Sequence, residues 1–472
     1  MDRLLPSRRA FAIECAAVAA IAVLLRVPFM GTIGPDEGGY AYVAWRWSHG
    51  ADLYRTLWID RPQGLLLVYR GLIAIAPSPW AIRLGAVVAA AATALLLVAV
   101  GSLLVSRTVG LLAGALYAVV GVGPRIEGYT FNGELAAAVP STAAVAAALL
   151  GARRRSTAWF AAAGALGGTA ILMKQSGFDG LVVALVVAAA AGRRRLLVAA
   201  TAASLPLGAS ALGGWLAGWS FYWSQLVTSH VDVATNAARL AHFDGSIPRA
   251  SRDLLPLAVL AAVGAWRARR LPGVRRPALT WLVAALVAVN VGGLYWPHYY
   301  VQLLPPLSLL AAVALGGLSP RRAWIAAAAV ALPAVFFVGH VVGSGDPSSD
   351  RLVKYAVGFE NDRRVAAYVR AHSSPRDEVY AFVSRADFYF LARRPAASPY
   401  LWAHPLKDIP GAEAALVRTL AGPRRPRLVA LFQRPKRNAF GRAIGRILAR
   451  DYRVVWRAPG TATPVLAARP VY

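Results

Sequence analysis

Hydrophobic residues along this chain come in long blocks, not in the spaced pattern of a soluble fold. Ala/Val/Leu-rich stretches fall at about 10–30, 81–105, 108–123, 134–151, 157–173, 177–191, 196–217, 253–266, 278–295, 299–317 and 323–342. Roughly 20 helical residues cross a 30 Å hydrocarbon core, so the shorter blocks are expected to be tilted, flanked by semi-polar turns or buried in a bundle. The pattern predicts a polytopic α-helical membrane protein with about eleven transmembrane helices. After residue 342 the blocks stop. Helical stretches at 361–371, 412–420 and 439–449 alternate there with β-rich runs at 379–383, 428–432 and 452–456, which predicts a small α/β domain. The expected division is therefore a membrane domain at 1–342 and a C-terminal domain at 343–472.

Charge orients the helices. With the N-terminus inside, the cytoplasmic loops carry Arg3, Arg8 and Arg9; Arg107; Arg153 to Arg155; Arg193 to Arg195; Arg267, Arg269, Arg270, Arg275 and Arg276; and Arg321 and Arg322. The opposite loops are longer and more aromatic and hold the acidic residues, in accord with the positive-inside rule. An odd number of spans then puts the C-terminal domain outside. The outer segments are 31–80, 123–134, 218–252 and the turn from Tyr295 to Tyr300. In the first of them, 37–49 and 61–75 read as amphipathic interfacial helices, with Trp45, Trp47, Trp58 and Tyr69 suited to headgroup depth.

Composition narrows the function classes. Of the 472 residues 57% are hydrophobic and 15% charged, the mean hydropathy is +0.50, and the formal net charge is +29. So basic a chain invites a nucleic-acid reading, but many of the arginines sit in short loops, where they meet anionic lipid headgroups instead. Membrane lipids are the expected partner and nucleic acid is not. Cys15, in the first block, is the one cysteine, so no internal disulfide and no cysteine metal site exist. Residues 10–30 are too long for a signal-peptide core and lack a small-x-small cleavage site, and so read as an uncleaved first helix. There is no phosphate-binding Walker loop, dinucleotide fingerprint, His-Glu-x-x-His or Gly-x-Ser-x-Gly motif, which argues against a nucleotide-driven pump.

The candidate chemistry lies at predicted helix mouths on the outer side. Asp36 and Glu37, in Gly34-Pro35-Asp36-Glu37-Gly38-Gly39-Tyr40, taken alone fit an N-terminal cap with an acidic first turn better than a general base at the bundle mouth, and a cap residue can also face a cavity. Arg61 before Pro62 fits a phosphate clamp, a surface pair with Asp60, or a headgroup contact. Lys174 is the one lysine of the membrane body and fits an anion ligand or a snorkelling side chain. His298, followed by Tyr299, fits a phosphate donor or a hydrogen-bonded interfacial histidine. Glu127 and Glu134 flank Tyr129 and Asn132, and Glu134 fits a cavity wall or a helix-dipole partner. His230, Asp232, His242 and Asp244 match no common zinc spacing and read as loop surface or acceptor lining.

Taken together these segments resemble the GT-C glycosyltransferases related to protein O-mannosyltransferases and to the aminoarabinose transferase of lipid A. Asp36-Glu37 with Tyr40 is similar to that family's first-loop motif. Asp60-Arg61-Pro62 resembles its Lys-Pro-Pro-Leu segment, with arginine for lysine and Gln63-Gly64 for the remainder. Lys174-Gln175-Ser176-Gly177 is similar to its Lys-Gln-x-Gly turn, and His298-Tyr299-Tyr300 through Pro305-Pro306 to its His-Tyr-Phe…Leu-Leu-Pro-Pro stretch. The resemblance covers nearly the whole chain. It implies a GT-C fold and inverting transfer of a sugar from a polyprenyl-phosphate donor to a glycan, lipid or protein acceptor. Asp36 would be the base and Glu37 its partner. Arg61, Lys174 and His298 would hold the lipid phosphate, and Tyr40, Glu134 and Tyr299 would line the acceptor cavity. Some relatives bind a divalent metal and some do not; the sequence commits to no metal and leaves one possible. The competing reading is a transporter or flippase of lipid-linked sugars, which needs no outward Asp-Glu pair and usually shows repeats or broken helices. A non-catalytic scaffold for a cell-envelope partner is the third.

Overall fold

The computed structural model describes residues 8–231, 238–291, 293–345, 351–354, 356–382 and 385–470. Within them the contacts define two compact units. The first holds residues up to 30, 61–68 and 83–346; the second holds 31–60, 69–82 and 347 onward. Contacts thus do not divide at a single cut after residue 342, because most of the first outer segment groups with the C-terminal residues.

The first unit is helical: α1 (Arg8–Leu24), most of α4 (Pro79–Leu104), α5 (Arg107–Val120), α6 (Gly133–Arg154), α7 (Thr157–Met173), α8 (Asp179–Ala191), α9 (Arg193–Trp223), α10 (Ala238–Ala268), α11 (Pro272–Val291), α12 (Leu304–Leu315) and α13 (Pro320–Gly343). Among the described residues seven helices are long and apolar enough to cross a membrane, and Gln63–Ile75, Arg107–Val120, Thr157–Met173 and Asp179–Ala191 are shorter apolar helices. Every residue of α12 is buried, which is why its sequence is apolar all round. Peripheral faces show Ile13, Leu216 and Phe336 at least 70% exposed, which water would penalise and lipid does not. Small residues let the backbones touch: a Cβ on Gly164 would overlap the Ala199 carbonyl, so α7 and α9 approach closely.

The segment 218–252, expected to be a loop, is largely helical in its described part. The helix α9 bends at Gly218, whose φ of 114° is open only to glycine, and α10 is already under way by Asp244. The segment's polar and charged residues hid the helix, since polarity signals exposure and not loss of helical backbone. Asp232 and the side chain of His242 lie outside the described residues; Asp244 is exposed and His230 half-buried.

The second unit contains α2 (Pro35–Ser48), the second half of α3 (Gln63–Ile75), and α14 (Ala356–Ala371), β1 (Val379–Phe382), α15 (Ala386–Ala392), α16 (Ala403–Asp408), α17 (Ala412–Ala421), β2 (Leu428–Leu431), α18 (Ala439–Asp451), β3 (Tyr452–Arg457) and β4 (Pro464–Ala468). The sheet order is β1-β2-β4-β3, parallel between β1 and β2 and antiparallel elsewhere. Tyr380, Leu416, Leu420, Val429, Ile444, Leu448 and Leu466 form its core.

Candidate functional site

The chemistry-bearing residues gather in two places, one in each unit.

In the first unit, the loop before α6 is set by buried arginines. Arg26 donates to the carbonyls of Gly128 (2.9 Å) and Ala118 (3.0 Å), and Arg83 to that of Tyr129 (2.6 Å). From α10, Asp253 accepts the backbone N–H of Arg125 (2.8 Å). The loop so held puts Glu127 in the left-handed region (φ 60°), a strained conformation for a non-glycine residue. The next helix starts at Gly133, where a Cβ would stand 3.1 Å from the Met173 carbonyl. That approach brings the first turn of α6 onto the end of α7, and Glu134 onto Lys174.

Lys174 caps α7 in an extended conformation, and its ammonium pairs with Glu134. The same ammonium lies 3.5 Å from the centre of the Tyr299 ring. His298 opens a 3₁₀ turn, Pro297–Leu303. Its Nδ1 is 3.5 Å from Glu127 Oε2 and its Nε2 3.9 Å from Glu134 Oε1. Arg61 is buried and its charge acts on Glu134 as well. Gln63 anchors this strip by donating to the Ser210 carbonyl (3.2 Å), and Gly64 leaves room for Leu172. Arg61 and His298 are both buried within the chain, at 7% and 4% exposure. Arg61, Glu134, Lys174, His298 and Tyr299 are therefore brought together, with Glu127 added. Buried charges of both signs are tolerable only when paired. An anionic ligand with its own oxygens is the kind of group such cations can accept in exchange.

Asp179, not singled out from the sequence, is the anchor behind this cluster. Its carboxylate accepts from Trp281 Nε1 (2.7 Å), Ser141 Oγ (3.0 Å) and Gln302 Nε2 (3.1 Å), and Gln302 belongs to the turn carrying His298. The signal in the sequence was a carboxylate at the head of an otherwise apolar block.

In the second unit, Asp36 and Glu37 lie in the first turn of α2 and face different tasks. Glu37 is 1% exposed and accepts the backbone N–H of Gly34 (2.9 Å), one half of a capping box. Asp36 is half-buried, and its Oδ1 accepts the indole N–H of Trp402 (3.0 Å). A Cβ on Gly38 would overlap the Cα of Asp387, and one on Gly39 the Trp402 ring. Tyr40 is buried against Tyr69 (centroids 5.7 Å) and Trp402 (5.9 Å). Beneath α2, Asp387 and Asp362 are buried around Arg385, which pairs with Asp362. Burial, then the neighbouring Asp387, pushes Asp362 up to about 9. Burial also raises Asp387.

Among the described residues no group of three His, Cys, Asp or Glu side chains converges on a metal position. His298 turns its two nitrogens toward different carboxylates, and its buried Nδ1 makes no hydrogen bond among the described residues.

Residues 60–217 match the family model of the dolichyl-phosphate-mannose-protein mannosyltransferases. No curated protein matches in sequence. Among solved structures, ArnT from Cupriavidus metallidurans bound to undecaprenyl phosphate is similar with a TM-score of 0.67 and 17% identity, over 98% of this chain and 100% of that one. The archaeal oligosaccharyltransferase AglB from Archaeoglobus fulgidus, in complex with an inhibitory peptide and a dolichol-phosphate, is similar with a TM-score of 0.56 and 13% identity, over 89% of this chain and 69% of that one. The fold is the GT-C fold, and the resemblance to GT-C glycosyltransferases related to the protein O-mannosyltransferases and ArnT is borne out. With seven long apolar helices in that fold, the protein is a membrane protein.

Proposed function

We propose that this GT-C-fold membrane protein is an inverting glycosyltransferase, which moves a hexose or pentose from a polyprenyl-phosphate donor to an acceptor hydroxyl on the extracytoplasmic face of the plasma membrane. The observation that carries the reading is the buried group of Lys174, Arg61 and His298 in the first unit, held by Glu134 and Glu127. It is supported by the family model over 60–217 and by the lipid phosphates named for ArnT and AglB.

In this reading Asp36 takes the proton of the acceptor hydroxyl as its oxygen attacks the anomeric carbon. The bond from that carbon to the phosphate oxygen breaks, and polyprenyl phosphate leaves with the electron pair. Fixed cations stabilise the charge growing on the leaving phosphate, so no strong general acid is required. Glu37 orients the helix turn that carries Asp36, while Tyr40, Glu134 and Tyr299 shape the acceptor side. About eleven helices cross the membrane, with the arginine-rich loops inside and the C-terminal sheet outside.

The test is a comparison of purified wild type and Asp36→Asn in detergent, measuring polyprenyl phosphate released from a panel of radiolabelled polyprenyl-phosphate sugars with a membrane extract as acceptor source. Turnover of one donor by wild type, with binding but a loss of roughly 10²–10⁴-fold in kcat in the variant, is the expected result. A donor bound equally by both proteins and consumed by neither moves the flippase reading ahead.

A further inference from the structure

We infer that Trp402 is a positioning residue for Asp36, its indole N–H fixing the carboxylate that receives the acceptor proton. The inference rests on the reading of Asp36 as the base and adds a residue 366 positions away in sequence.

Three observations carry it. First, the contact is directional: the nitrogen edge of the indole, not an apolar edge, meets Asp36, with Nε1 3.0 Å from Oδ1. An indole donates one hydrogen bond and accepts none, so it engages one carboxylate oxygen and leaves Oδ2 for the acceptor hydroxyl. A neutral donor to an ionised acceptor is among the stronger hydrogen bonds available to a side chain.

Second, the ring is packed against α2. A Cβ on Gly39 would overlap its six-membered ring, and Tyr40 lies against it. The bare glycine in Asp36-Glu37-Gly38-Gly39 is thus the space in which the indole sits. A carboxylate used as a base must be held near its productive geometry, and a packed neighbouring ring does that.

Third, the backbone that presents Trp402 is tied to the backbone that presents Asp36. Tyr42, further along the same helix, donates to the Arg394 carbonyl (3.0 Å) and accepts from the Ala396 N–H (2.8 Å). Trp58 N–H donates to the Pro399 carbonyl (3.0 Å). The strand of chain from 394 to 402 is therefore pinned to the first outer segment at several points, and the indole is its last.

The experiment uses the full chain in detergent with the donor identified by the panel above. It compares wild type, Trp402→Phe, Asp36→Asn, and a protein carrying 3-benzothienylalanine at 402, which keeps the bicyclic shape and replaces the N–H with sulfur. The expected result is a fall in kcat of about 10- to 100-fold for both 402 variants, with donor KM within about twofold and, for the benzothienyl protein, an unchanged melting temperature. In ¹⁵N-tryptophan-labelled protein, the indole resonance missing from Trp402→Phe is expected to shift in Asp36→Asn. Unchanged kcat in the 402 variants beside an inactive Asp36→Asn overturns the role of Trp402 and leaves the base intact. Full activity of Asp36→Asn overturns the reading of the base itself. If Trp402→Phe fails to fold, the benzothienyl protein decides the kinetics. Where no donor is turned over, an indole resonance indifferent to Asp36→Asn overturns the inference alone.

Discussion

Lys174 and Glu134 form an ion pair in which neither side chain is more than 5% exposed, with the Tyr299 ring covering the ammonium. Removing one partner of such a pair strands the other charge, at a cost of about 3–5 kcal/mol. Lys174→Ala is therefore expected to lower the melting temperature in detergent by several degrees. The double variant Lys174→Met, Glu134→Gln is expected to recover most of the loss, because it leaves neither member of the pair charged without the other. A double variant as unstable as the single one would mean that the pair is not the source of the effect.

In the proposed function the same pair also governs lipid affinity. Glu134 occupies the ammonium that a lipid phosphate would use, so Glu134→Gln is expected to bind undecaprenyl phosphate about tenfold tighter, and Arg61→Ala about tenfold weaker. Titration of the purified variants with the lipid in detergent checks both directions. Arg61→Lys is expected to recover part of the affinity, since a point charge replaces a planar fork.

The glycines after Asp36-Glu37 are contacts, and a control is at hand. Gly38→Ala forces a methyl into Asp387, where neither backbone has room to yield, and is expected to destabilise by roughly 1–3 kcal/mol or more. Gly71→Ala, with nothing within 4 Å of the new methyl on α3, is expected to be neutral or slightly stabilising. Thermal melts of the two proteins side by side separate close packing from a general intolerance of change.

Asp362 gives the second unit a pH dependence. Its carboxyl is pushed up to about 9 by burial and by Asp387, against the opposing pull of Arg385. A group whose folded pKa is raised holds a proton that the unfolded chain releases. Its stabilising contribution is complete below the ordinary carboxylate range and is lost as pH rises toward about 9. Melting temperature is thus expected to fall across that window, and Asp362→Asn to flatten the fall. An equally steep profile in the variant would assign the dependence to other groups.

Much of this was legible in the chain. Arginine punctuation and apolar blocks located the long helices, and the β-rich runs at 379, 428 and 452 fall on strands. The Lys174, Glu134, His298 and Arg61 cluster was visible as isolated charges at helix mouths, because ionisable groups beside long apolar runs are rarely idle. Three things were hidden. Residues 238–252 carry enough charge to look like a loop although the backbone is helical. The last strand, Pro464–Ala468, begins with a proline and is too short to show alternation. Trp402 was one aromatic among many, and nothing local marks a tryptophan whose partner lies in the first outer segment.

The grouping of 31–60 and 69–82 with the C-terminal residues bears on how this chain can be recombined. A chimera that exchanges only the region after 346 with a relative would keep the host's Gly38, Gly39 and Tyr42 and supply foreign counterparts of Asp387, Trp402 and Ala396. The heritable block is discontinuous: the two stretches of the first loop and the C-terminal sheet must travel together, although roughly 260 codons of membrane helix lie between them.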